Sequence, residues 1–364
     1  MNRYNRHIIL SEVGSSGQEK LNKAKVLVIG AGGLGCPILQ YLAAAGIGEI
    51  GIIDFDVVEL SNLQRQVLFG KSSLGKNKAI AAKDRLEDLN DEIKITAYPE
   101  ALTYQNAIAL FKLYDIIVDG SDNFETRYMV NDASIITNKP LVFGAIYKFE
   151  GQVSVFNYNQ GPSYRCLFPN LPEKDAIPNC SEIGVLGVLP GIIGSMQANE
   201  VIKLILGIGD VLSGTLLCYN ALTNQTSSLK INRNNAVINK VLDSKSNFNT
   251  KPLLINCETT FEVSIEDIIS NQNIQIIDVR EIDELPKIDG FNIENLPLST
   301  LHFNIKQLNN NSAKYFFCQS GIRSKKAVEL LKTHDIANCF SIKEDAVELK
   351  NYIEKQYKET INGR

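Results

Sequence analysis

The sequence predicts an α/β protein: a doubly wound, Rossmann-like, mostly parallel sheet with an antiparallel extension, joined to a smaller α/β unit. Three observations carry that expectation. Short apolar runs alternate with amphipathic segments as far as Pro140, the signature of βαβ units. The first run, Val26 to Ile29, empties into Gly30-Ala31-Gly32-Gly33-Leu34-Gly35, in which Gly30, Gly32 and Gly35 satisfy G-x-G-x-x-G. After Pro140 paired strands replace the alternation, and a second strand–loop–helix pattern begins beyond Lys251.

Length and composition frame the elements. A chain of 364 residues accommodates two domains of ordinary size. A net charge of −4 offers no footprint for a polyanion, so nucleic acid is excluded as a partner. Seven cysteines make an odd set without a C-x-x-C pair, which points to reduced thiols and a cytoplasmic protein. The amino terminus has charge but no apolar run behind it, so no signal peptide is expected. The most apolar stretch, Ile183 to Gly209, contains Pro190, Gln197, Asn199, Glu200 and Lys203 and reads as a buried helix, not a membrane span.

In chain order, the first two dozen residues are expected to be helical, with Arg3 and Arg6 as solvated surface cations. Lys25 to Ile29 is a buried strand, Leu34 to Ala45 a helix, and Glu49 to Ile53 a strand ending at Asp54-Phe55-Asp56. Glycine suits the turn at 30 because the backbone must approach phosphate closely, and the N–H groups of the helix start face an anion. Asp54 stands where the ribose-binding acid of a dinucleotide site belongs. A helix over 76–89, with Ile80 and Leu86 inward, precedes strands over 93–98 and 114–118; the latter ends at Asp119-Gly120-Ser121-Asp122-Asn123. Asp54, Asp56 and Asp122, all at strand ends, should share one crevice with the glycine loop. Strands over 141–145 and 151–156, a long loop over 157–182, a helix over 185–206 and strands near 216–219 and 227–231 complete the first domain, 1–232. The Asn-, Lys- and Ser-rich stretch 233–250 reads as a linker to a second domain, 251–364.

In that second domain, strand 314–317 runs into Cys318-Gln319-Ser320-Gly321-Ile322-Arg323-Ser324, with a helix over 324–332. Loop N–H groups, the helix start and Arg323 all favour an anion at the sulfur, which would make Cys318 a nucleophile. Cys36, Cys218, Cys257 and Cys339 read as small core residues.

Residues 3 to about 231 resemble the family of adenylating enzymes that includes ThiF, MoeB, HesA and the ubiquitin-activating enzymes. The match rests on Arg-Tyr-Asn-Arg at 3–6, Gly-Gln-Glu-Lys-Leu at 17–21, the glycine block at 30–35, Asp-Phe-Asp at 54–56 and Ser-Asn-Leu-Gln-Arg-Gln at 61–66. It continues through Lys78, Ser-Asp-Asn at 121–123, Thr-Arg-Tyr at 126–128, Tyr-Arg-Cys-Leu-Phe-Pro at 164–169 and Asn-Cys-Ser-Glu-Ile-Gly-Val-Leu-Gly at 179–187. Residues 251 to about 358 resemble a rhodanese domain, through Asp-Val-Arg-Glu at 278–281 and the loop from Cys318 to Arg323. The combination is similar to the MoeZ group and the eukaryotic molybdopterin-synthase sulfurylases.

The resemblance implies ATP and Mg²⁺ as cofactors and, as partner, a ubiquitin-like sulfur-carrier protein ending in Gly-Gly, whose terminal carboxylate is adenylated. Arg65 and Lys78 match positions on the triphosphate, Ser61 and Asn62 lie beside them, Gly33 lies against the nucleotide, and Asp54 matches the ribose acid. Asp122 matches the Mg²⁺ ligand, next to Asn123, and Arg6 an arginine contributed by the second subunit of a homodimer. Cys318 would carry a persulfide supplied by a donor such as a cysteine desulfurase, and Cys180 matches a cysteine that takes part in the acyl-enzyme steps. The product would be a carrier thiocarboxylate for molybdopterin, thiamine or tRNA thiolation. One departure stands out: relatives hold zinc with two C-x-x-C pairs, whereas Ser163-Tyr164-Arg165-Cys166 and 233–238 together retain one cysteine. No zinc is expected, with packing or dimer contacts anchoring those segments instead. Rival readings are an NAD-dependent oxidoreductase, to which Arg65, Lys78 and Asp122 would be superfluous, and a non-catalytic scaffold on a degenerate adenylation domain.

Overall fold

In the computed structural model the chain divides into two compact units, Met1–Leu253 and Leu254–Arg364. The structure describes residues 3–172, 184–250, 262–268, 274–288, 293–305, 312–319, 321–332 and 338–362, together with Leu308, His334 and Ile336.

The first unit is built on an eight-stranded sheet of order β3-β2-β1-β4-β5-β6-β7-β8. Strands β1 (Lys25–Ile29), β2 (Glu49–Ile53), β3 (Lys94–Tyr98), β4 (Ile116–Asp119) and β5 (Leu141–Tyr147) run parallel. Strands β6 (Glu150–Phe156), β7 (Thr215–Asn220) and β8 (Gln225–Lys230) extend it antiparallel. Alternate residues of β1 go to opposite faces. Val26 and Val28 join the core under helices α3 (Gly35–Ala45), α4 (Lys78–Leu89) and α8 (Val188–Leu206). Leu27 and Ile29 join the core under α5 (Tyr104–Phe111) and α6 (Phe124–Thr137). Covered on both faces, a parallel strand must be apolar throughout, which is why Val26 to Ile29 reads as an unbroken run. The sheet order reverses between β1 and β4, and their carboxyl ends open a crevice there.

Ahead of β1 lie α1 (Asn5–Ile8) and α2 (Gly14–Lys23), and α7 (Tyr164–Leu167) interrupts the long loop. No helix among the described residues is long and apolar enough to cross a membrane.

Three expectations are corrected. Residues 233–250 are not an open linker: α9 (Asn235–Asp243) is capped by Asn234, and Ile238, Val241 and Phe248 are buried in the first unit's core. Polar composition hid that apolar spacing. Arg3 is exposed as expected, and at the surface it donates to Leu89 O at 2.7 Å and pairs with Asp91 at 3.0 Å. Ile80 faces outward, 43% exposed, because α4 turns its alanines Ala79, Ala81 and Ala82 inward. Cys218 is only partly buried, while Cys36 and Cys339 are core residues as expected; Cys257 lies outside the described residues.

The second unit carries a five-stranded parallel sheet of order β11-β10-β12-β13-β9. Its strands are β9 (Glu262–Val263), β10 (Gln275–Asp278), β11 (Ile293–Asn295), β12 (Lys314–Phe317) and β13 (Cys339–Ile342). The short α10 (Ile265–Ile268) follows β9. One face packs on α11 (Ile322–Lys332) through Ala327, Val328 and Leu331, the other on α12 (Ala346–Asn362) through Ala346, Leu349 and Ile353.

Candidate active site

The crevice is built from the turn after β1. Gly30 sits at φ +86°, and its N–H donates to Ile53 O at 2.9 Å. A side chain at Gly35 would place its Cβ 2.0 Å from Gly30 O, so only glycine lets strand, turn and helix close this tightly. Asp54 braces the turn from the end of β2: Oδ2 accepts from Ala31 N at 2.7 Å and Oδ1 from Asp56 N at 2.9 Å. Burial pushes its carboxyl above the ordinary carboxylate range in spite of those two N–H donors.

Cations line the next wall. Asn77 caps α4 by accepting from Ile80 N at 3.2 Å, and its Nδ2 donates to Asp54 O and Asp56 O at 3.0 and 3.1 Å. The cap fixes Lys78 as the first helical residue. Its side chain is buried, and Nζ reaches Asp56 Oδ2 at 2.8 Å. An ammonium at a helix N-terminus opposes the macrodipole, so its position there costs stability that Asp56 offsets. Asn62 is buried in a reciprocal cap with Glu59, whose N–H donates to Asn62 Oδ1 at 3.2 Å, and Ser61 Oγ donates to Glu59 at 3.2 Å. Arg65 follows, with Nη1 donating to Ser61 O at 3.1 Å and its Cγ beside Gly33.

The third wall is the turn after β4. Gly120 lies against Gly30. Ser121 N and Oγ donate to Asp119 Oδ1 at 2.9 and 2.6 Å, and Asn123 Oδ1 caps α6 by accepting from Thr126 N at 2.9 Å. Asp122, held between two tied residues, is exposed. Contacts thus join the glycine turn to Gly120, Asp54 and, through it, Asp56 and Lys78, and Gly33 to Arg65, while Ser61, Asn62, Asp122 and Asn123 lie on the segments that follow β2 and β4.

Arg6 is not among them. Tyr4 OH bonds Asn90, just past the C-terminus of α4, at 2.9 Å, and Arg3 bonds Leu89 O. Lys78 starts that same helix, so α1 lies about 18 Å away at the other end of the sheet. Cys180 lies outside the described residues.

Several buried polar residues that the sequence reading names without a role support the crevice. Arg127, 8% exposed, extends Nη2 to within 3.5 Å of Ser121 O, with its guanidinium 5.5 Å from the Phe124 ring centroid and 5.6 Å from that of Phe143. Asp119 is fully buried, which raises its carboxyl pKa. Gln197 Nε2 donates to Asp119 O at 2.8 Å. A glutamine inside an otherwise apolar helix was the available signal, since such a side chain must find a buried partner.

The segments expected to lack zinc meet in a hydrogen-bond cluster. Ser163 N and Asn234 N both donate to Cys166 Sγ at 3.3 Å, and Ser163 Oγ lies 3.4 Å from it. Arg165 adds a two-pronged ion pair to Asp132 at 2.6 and 2.9 Å. No group of three or more metal-ligating side chains occurs among the described residues.

In the second unit Cys318 directly follows β12 and is buried, with Sγ 3.8 Å from Ser324 Oγ. Ser324 is fixed by Gly321 O at 2.9 Å and Ser341 Oγ at 2.8 Å. Arg323, expected to favour an anion at the sulfur, is instead engaged by Glu284, with Nη2–Oε2 at 2.7 Å. A persulfide on Cys318 would carry its terminal sulfur about 2 Å further out than Sγ.

Comparison with known proteins sharpens the picture. The model of the ThiF family matches residues 4–239. A sulfur carrier protein adenylyltransferase of Thermus thermophilus is 52% identical over 239 residues, covering 64% of this chain and 88% of that protein. The adenylyltransferase/sulfurtransferase MoeZ of Mycobacterium tuberculosis is 40% identical over 343 residues, covering 91% of this chain and 88% of that one. The Xenopus laevis adenylyltransferase and sulfurtransferase MOCS3 is 50% identical over 229 residues, and the match spans only 51% of its length. Among solved structures, E. coli MccB with ATP aligns at a TM-score of 0.57 and 25% identity, over 64% of this chain and 72% of MccB.

Proposed function

The chain belongs to the ThiF family, and from that premise we propose that it is an ATP-dependent enzyme that adenylates the C-terminal glycine of a small ubiquitin-like sulfur-carrier protein and then passes it sulfur. The observation that carries this reading is the buried Lys78 ammonium, set against the helix dipole beside a glycine turn and Arg65. Such an arrangement suits a polyphosphate better than hydride transfer.

The carrier carboxylate attacks the α-phosphorus of ATP, and the bond to the β-phosphate oxygen breaks with release of pyrophosphate. Two anions must meet, so the barrier is electrostatic. Lys78 exchanges Asp56 for phosphate oxygens, Arg65 supplies a second cation, and the N–H groups at the start of α3 face the phosphates. Asp54 and Asn77 hold the turn and Lys78 in register. An exposed Asp122 fits Mg²⁺, which takes one or two carboxylates together with phosphate oxygens and water; bound there, the ion would neutralise triphosphate charge. Arg6, at the far end of its own sheet, fits a role in trans, in a homodimer where it reaches the partner's crevice.

The second unit is read as a rhodanese-like sulfurtransferase, with domains of 1–253 and 254–364. A persulfide on Cys318, loaded by a cysteine desulfurase, attacks the carbonyl carbon of the acyl adenylate; AMP leaves and an acyl disulfide forms. Thiolate exchange at its S–S bond, for which Cys180 is the candidate, frees the thiocarboxylate.

ATP–pyrophosphate exchange with purified carriers ending in Gly-Gly tests the first half: exchange that depends on one carrier is expected, and none with any carrier would refute it. Thiosulfate:cyanide sulfur transfer that survives Cys318→Ser would refute the second half.

A further inference from the structure

Two arginines border the loop that begins at Cys318, and each is matched by a carboxylate. Arg280, buried, sets Nε and Nη2 on Asp278 at 2.9 and 2.7 Å, and its Nη1 lies 3.4 Å from Oε1 of Gln319, the neighbour of Cys318. Arg323, which closes the loop, turns both terminal nitrogens onto Glu284. Glu284 is itself fixed, because Glu281 N donates to Oε1 at 2.8 Å and Glu284 N donates back to Glu281 O at 3.1 Å. A two-pronged pair of this kind uses the edge of the guanidinium that would otherwise take an oxyanion. Among the described residues, the hydrogen-bonding neighbour of the sulfur is the Ser324 hydroxyl.

Sulfur donors differ in what they leave behind. With thiosulfate, the Cys318 thiolate attacks the outer sulfur, the S–S bond breaks, and sulfite departs with the electron pair as a dianion whose three oxygens call for a forked cation. With a persulfide on a protein cysteine the same attack expels a thiolate sulfur that bears no oxygens. In both cases Cys318 gains one sulfur and no further oxidant is consumed.

We propose that Glu284 is a specificity-determining residue of the Cys318 site: by occupying Arg323 it disfavours small oxyanionic donors such as thiosulfate and leaves the site to donors that carry sulfur as a cysteine persulfide. This rests on the reading of Cys318 as the sulfur-bearing residue. Freed from Glu284, Arg323 becomes available to the departing sulfite.

The test uses the full chain, with thiosulfate and cysteine persulfide as donors and sulfur on Cys318 read by intact mass and by cyanide trapping. Glu284→Gln and Glu284→Ala are expected to lower the KM for thiosulfate about tenfold with kcat changed by less than about twofold, and to leave kcat/KM for cysteine persulfide alone. Adding Arg323→Ala should erase the gain. An unchanged thiosulfate KM in both variants, or a gain that persists without Arg323, overturns the proposal while the role of Cys318 stands. Failure of both donors to place sulfur on Cys318 of the wild-type chain overturns both.

Discussion

Lys78 holds a buried charge at the wrong end of a helix, and nothing in the packing of α4 requires it there. Lys78→Ala should therefore cut ATP–pyrophosphate exchange by about a hundredfold, the scale of losing one preorganised charge-stabilising group, while the melting temperature holds or rises. Glu284 gives a second expectation at this scale. The Arg323 guanidinium, joined by the Glu281 N–H, holds its carboxyl down to about 2 from an ordinary 4.5. A depressed folded-state pKa contributes stability that is full above about 4.5 and is lost as pH falls towards about 2. Melting of the chain across that window should show this acid-dependent loss, and Glu284→Gln should flatten it. Single residues were legible where a motif carried them, as with Asp54 and Lys78. The supporting roles of Arg127, Asp119 and Gln197 were not, because burial arises from contacts between distant segments and one letter in a row does not record it.

At the scale of elements, the crevice depends on helix starts as much as on strand ends. Asn77 both caps α4 and ties the turn after β2 through two carbonyls. Asn77→Ala should cost about 1 to 2 kcal/mol in urea unfolding, at the upper end for a cap because two further hydrogen bonds go with it, and should weaken ATP binding by tilting Lys78. The strands of the first unit were legible to within a residue or two, since a parallel strand buried on both faces must be apolar throughout. The segment 233–250 was not. Its polar letters resemble a linker, yet Ile238, Val241 and Phe248 lie on one inward side, and a short helix exposed over most of its surface has few apolar positions to declare itself.

The whole-molecule prediction concerns Arg6, which sits at the opposite end of the sheet from its own crevice. If it acts across a dimer, Arg6→Ala and Lys78→Ala chains, each inactive alone, should regain exchange activity when co-expressed, because each mixed dimer keeps one crevice with both groups. Mixtures as inactive as their components would remove Arg6 from the mechanism. The sequence by itself determined the doubly wound sheet and the glycine turn, because hydrophobic period and turn residues are local and the motifs are contiguous. Only the tertiary structure decided which charges are paired. That Lys78 rests on Asp56 and Arg323 on Glu284 follows from how separate loops converge at strand ends, and electrostatic pairing depends on distances that sequence spacing does not contain.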